Sequence, residues 1–140
     1  MKRLAWGVGL LALGAVLVLA TRPAGASDKV PEIKEIMAKL NKPGGLRPNL
    51  GEDLQADELD WPMIQKETKQ FVDLVAALGK NTPPIGGKDS WDKLTRSYLA
   101  DAKAMDDAAQ RKDKKGALAA HARMSSNDFC KSCHTVHQKK

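Results

Sequence analysis

The sequence predicts an all-α fold, an antiparallel four-helix bundle. Three observations carry that prediction. Apolar residues recur at three- and four-residue spacings along four stretches. Proline, glycine and aspartate turn signals separate those stretches, with mostly short links. No segment alternates apolar and polar residues as a half-buried strand would.

The first stretch runs through Val30, Ile33, Met37 and Leu40, with Pro31 suited to its first turn. Pro43-Gly44-Gly45 ends it. Residues 44–59 form a long connection in which a short helix is expected from Leu50 to Glu58. Asp60 has the character of an N-cap, with Pro62 just inside the helix that follows. Ile64, Phe71, Val75 and Leu78 form the apolar stripe of that second helix, and Gly79 closes it. Asn81 to Gly87 is a Pro/Gly loop. Asp89, with Asp92 three residues on, reads as a capping box opening a third helix. Trp91, Leu94, Tyr98, Ala102, Met105 and Ala109 form its inner face. Arg111 to Lys115 is a charged turn with Asp113 as a cap. Leu118, Ala122, Ser125, Phe129, Cys133 and Val136 then repeat down one continuous fourth helix. Helical bundles of this kind build cofactor sites between their facing helices.

The fourth stretch carries Cys130-Lys131-Ser132-Cys133-His134, which holds both cysteines of the 140-residue chain. C-x-x-C-H is the attachment signature of c-type haem. Two thiols add across the two vinyl groups of one porphyrin, each S–H proton passing to a vinyl carbon. The adjacent His134 then ligates the iron as proximal ligand. One motif implies one haem c per chain. Three other readings stand beside it: a disulfide, a redox-active C-x-x-C pair, or zinc held with His134 and His137. The redox pair wants a βαβ setting that is not visible here. Four ligands on one short helical stretch cannot easily surround a tetrahedral ion.

Haem attachment of this type needs an exported apoprotein, and the N-terminus is laid out for export. Lys2 and Arg3 precede an uncharged apolar run from Leu4 to Ala20, followed by Ala24-Gly25-Ala26. The division expected is a secretory signal over residues 1–26, cleaved after Ala26, and a haem domain over 27–140. The alternative is a retained anchor, although the run falls short of the roughly 20 residues that span a bilayer. Cleavage makes the mature protein periplasmic, with no membrane association. It also removes three cations, Lys2, Arg3 and Arg22, and no acid, taking the net charge from +6 to +3. So mild an excess argues against nucleic acid as a partner. Aromatic residues make up only 4% of the chain, so a covalently held porphyrin would supply the large apolar body that the core lacks.

C-x-x-C-H on the last of four helices resembles the arrangement of class II cytochromes c, comprising cytochrome c-prime and its low-spin relatives. The resemblance covers residues 28–140. It implies thioether links at Cys130 and Cys133 and proximal ligation by His134. In low-spin members a methionine on the first helix takes the opposite face of the iron, and Met37 falls in the corresponding place. The chain departs from the family after the motif: His137 and Gln138 stand where an aromatic residue and an arginine are common, so the resemblance does not carry over any role of that arginine, such as pairing with a haem propionate. Many members form homodimers through their first two helices.

The residues themselves leave few rivals to Met37 as distal ligand. Met124 lies ten residues before His134, about 15 Å along a continuous helix. His121 is further, and His137 follows on the same helix as His134. Met63 and Met105 lie on other helices with nothing to bring them to the iron. Plain packing is the alternative role for Met37 itself, since methionine fills core gaps well.

Two functions follow. With Met37 and His134 both on the iron, the protein is a one-electron carrier serving redox partner proteins. With the sixth position open, it binds nitric oxide or carbon monoxide in the manner of cytochrome c-prime. No serine, histidine or aspartate falls in a recognisable catalytic motif, so an enzyme is not expected.

Overall fold

A computed structural model of the chain describes residues 29–139. The signal segment and cleavage site expected within 1–26 lie outside the described residues, as does Lys140. The described residues fold into helices with no strand: α1 (Ile33–Asn41), α2 (Leu46–Asp53), α3 (Trp61–Gly79), α4 (Lys88–Gln110), α5 (Lys114–Ser125) and α6 (Asn127–His137). None of these helices is long and apolar enough to cross a membrane.

The two long helices, α3 and α4, form the body of the core. Ile64, Thr68, Phe71, Val75 and Leu78 share one face of α3 and are buried. They pack against α4, whose buried face runs through Trp91, Thr95, Tyr98, Ala102, Met105 and Ala109. Phe71 and Tyr98 meet edge to face, with ring centroids 5.9 Å apart. Each large apolar side chain buried here contributes roughly 1.5–3 kcal/mol. Thr68 is the polar member of the seam. Its Oγ1 donates to Oδ1 of Asp106 on α4 at 2.7 Å, so its burial leaves no hydroxyl unpaired. On α5 the buried residues are Ala117, Ala120 and Met124, facing the small Ala108 and Ala109 of α4. Small side chains on both sides allow a close approach of the two helices.

The ends of the helices follow local chemistry. Asp60 accepts from the Met63 amide at 3.1 Å, and Asp113 from the Gly116 amide at 2.9 Å, as N-caps should. α4 closes in a Schellman turn: the Asp113 amide reaches the Ala108 carbonyl and the Lys112 amide the Ala109 carbonyl. Lys112 occupies the left-handed position of that turn, at φ 59°.

Four details differ from the sequence expectation. α1 buries Ile36 and Leu40, leaving Met37 half-buried and Val30 exposed. The short helix starts at Leu46 rather than Leu50, because Gly45 provides an extended N-cap and Pro48 falls in the first turn, where its missing N–H costs nothing. α4 begins at Lys88 from Gly87. Asp89 therefore lies inside the first turn, and Asp92 pairs with Lys88 at 2.7 Å instead of closing a capping box. The fourth helix is two helices. Ser126 is extended (φ −66°, ψ 140°), and its hydroxyl accepts from the Phe129 amide at 3.2 Å, which ends α5 and starts α6.

Candidate functional site

α6 is held to α4 near both of its ends. At the start, Phe129 lies against Tyr98, with ring centroids 5.1 Å apart. At the end, His137 stands edge-on to Trp91 at 5.3 Å. Cys130, Cys133 and His134 fall between these anchors. All three line a groove of about 980 Å³. Ile33 and Met37 of α1 contribute to its wall, as do Leu94 and Tyr98 of α4 and Met124 of α5. Cavities that take organic ligands run from roughly 300 to 1,000 Å³.

The two thiols are half-buried and free. Burial, with the neighbouring Cys130 adding to it, pushes the Cys133 thiol above its ordinary pKa. A redox-active pair needs the reverse, a depressed pKa in an electropositive setting. His134 is exposed on the groove. His137 is buried, and both its ring nitrogens are occupied. Nδ1 donates to the Ile85 carbonyl at 2.9 Å, and Nε2 shares a hydrogen bond with Ser90 Oγ at 3.1 Å. It therefore has no nitrogen left for a metal ion. Among the described residues no group of three or more His, Cys, Asp or Glu side chains is arranged to hold one.

The methionines divide clearly. Met63 is 40% exposed and Met105 fully buried, and neither lines the groove. Met37 does, and its Sδ accepts from Asn41 Nδ2 at 3.4 Å. Met124, placed far from His134 by continuous-helix spacing, is buried against the same groove, because the chain turns at Ser126.

Sequence reasoning did not identify Arg47. It lies on α2, in a connection whose apolar spacing gave no signal. Its side chain lines the groove and also a neighbouring cavity of about 620 Å³ bounded by Asn41, Asn49, His121 and Ser125, among others. The Arg47 Nε is buried without a hydrogen-bond partner, and so is the Trp91 Nε1 on the groove wall. Arg47 is fixed from behind: His121 Nε2 donates to its backbone carbonyl at 2.8 Å, and the His121 ring packs on Gly51, where a Cβ would come within 2.9 Å of the ring. Burial pushes the Tyr98 hydroxyl well above its ordinary pKa, against a smaller downward pull from the Arg47 charge.

These residues fit a covalently held porphyrin. Two thiols three residues apart open onto an apolar groove of suitable size, with an imidazole beside them and two unpartnered N–H donors on the wall. No protein family, curated protein or solved structure matches the chain.

Proposed function

We propose that the chain is an exported monohaem c-type cytochrome, built as an antiparallel four-helix bundle of the class II type, and that it carries single electrons between partner proteins in the periplasm. The observation that carries this reading is the convergence of Cys130, Cys133 and His134 on one groove, with Met37 of α1 on its wall. Bound haem supplies the ferrous–ferric couple. Cys130 and Cys133 would hold it through thioethers and His134 would ligate its iron. Met37 would take the remaining position through the lone pair that its bond from Asn41 leaves free. Phe129, Tyr98 and Leu94 give the groove an apolar wall, and the polarity around a haem is one of the protein's means of setting its potential.

The second reading is a five-coordinate iron that binds nitric oxide or carbon monoxide. The hydrogen bond on the Met37 sulfur favours it, since that bond holds the side chain against its own helix. The test is the visible spectrum of protein matured in a periplasm, followed by acid–acetone extraction. The proposal expects haem that resists extraction, a low-spin spectrum and a sulfur-to-iron charge-transfer band. A high-spin spectrum selects the gas-binding reading. Protein with no Soret band, or with haem that extracts completely, ends both.

A further inference from the structure

We propose that Arg47 is an anion anchor of the groove, binding the carboxylate edge of the prosthetic group. This rests on the haem reading above. The apolar groove suits a macrocycle, but a haem also carries two propionates, which are costly to bury unpaired. Arg47 and Asn41 line both the groove and the neighbouring cavity, whose wall also carries the polar side chains of Asn49, His121 and Ser125. Among the described residues Arg47 has no ion-pair partner, and its Nε is buried with no acceptor. Leaving a buried N–H unpartnered is unfavourable, and a planar guanidinium satisfies a carboxylate with two parallel hydrogen bonds. His121, packed on Gly51, bonds the Arg47 backbone carbonyl and so holds the segment that carries the guanidinium in place. Among the described residues Glu52 is the carboxylate that lines the neighbouring cavity, and it pairs with none of the cations, Arg47 included.

The test uses matured holoprotein and two variants that each lose one positive charge. Arg47→Gln removes the proposed anchor, while Lys103→Gln removes an exposed cation on α4 outside the groove. A cation beside the haem favours the ferrous form. Arg47→Gln should therefore lower the ferrous-to-ferric equilibrium about tenfold, or about 59 mV for one electron. It should also raise the propionate pKa, because the paired anion is no longer stabilised. Lys103→Gln should do neither. Equal effects of the two variants on potential and on propionate titration overturn the proposal. If Arg47→Gln loses its helical signal, the wild type decides: infrared spectra of protein isotope-labelled at the haem carboxyl carbons read the titration directly. Both propionates titrating at or above the ordinary carboxylate range of about 4 to 5 also overturn it. Failure of the haem reading itself looks different, since the wild type would then carry no covalent haem.

Discussion

The His137 ring stands nearly perpendicular to the Trp91 indole, at 82° with centroids 5.3 Å apart, and ties the end of α6 to the loop before α4. Gly86 lies directly beneath it. At φ 81°, a Cβ there would come within 2.8 Å of the Val136 carbonyl and 2.7 Å of His137 Nδ1. Gly86→Ala should therefore cost about 2–4 kcal/mol, from left-handed strain and overpacking together. His137→Ala should cost a similar amount by opening a cavity and leaving the Ile85 carbonyl unpaired. Urea unfolding measures both; a loss under 1 kcal/mol in either would show that the contact does not hold α6.

Met37 separates the two proposed functions. Met37→Ala should turn a low-spin spectrum high-spin, lower the potential and let carbon monoxide bind quickly to the reduced protein. Met105→Ala should leave the iron spectrum intact and cost about 2–5 kcal/mol as a core truncation. Met63→Ala, at an exposed site, should change little. A wild type that is already high-spin and binds carbon monoxide readily removes Met37 from the iron.

The raised pKa of Cys133 makes a prediction for the apoprotein. Only the thiolate is nucleophilic, so Cys133 should alkylate more slowly than an unstructured thiol at neutral pH. The gap should close as pH rises and vanish in denaturant. Mass spectrometry of timed iodoacetamide reactions follows it, and faster-than-ordinary labelling would point back to a redox pair.

Glu67 gives a pH signature. Burial raises its carboxyl pKa above the ordinary 4.5, with repulsion from Asp53 adding and Lys66 opposing. Its Oε2 is buried without a partner. The folded state thus holds this proton more tightly than the unfolded state does. Stability should fall as pH rises from 4.5 through the higher folded value, and Glu67→Gln should remove that fall. The variant should melt higher than wild type at about pH 7 and at the same temperature at about pH 4. A gain of equal size at both pH values would assign the effect to something other than titration.

Lys112 sits where a Schellman turn usually has glycine. Lys112→Gly should relieve the left-handed cost and, after the added freedom of the unfolded chain, stabilise by about 0.5 kcal/mol. Thermal melts resolve it, and a net loss would mean that the lysine side chain contributes a contact of its own.

The long helices were legible because their chemistry is local. Asp60 and Asp113 cap as their neighbours imply, and the Phe71 and Tyr98 stripes follow helical period. The motif was legible for the same reason. What sequence did not reveal depends on the chain returning to itself. Arg47 reaches the groove through the placement of α2, and Met124 through the turn at Ser126. The Ile33–Met37 face points to the groove while Ile36 and Leu40 take the core, a rotation that spacing alone does not fix.

The interruption at Ser126 also isolates angular phase. In an unbroken helix, one residue inserted upstream swings every later side chain about 100° around the axis. Here α6 restarts its winding from its own cap, anchored by Phe129 and His137. α5 is therefore free to lengthen or shorten near its N-terminus without turning Cys130, Cys133 and His134 away from the face they share. The Cys130–His134 segment thus takes its orientation from the Ser126 cap and from the Phe129 and His137 contacts with α4, not from the winding of α5.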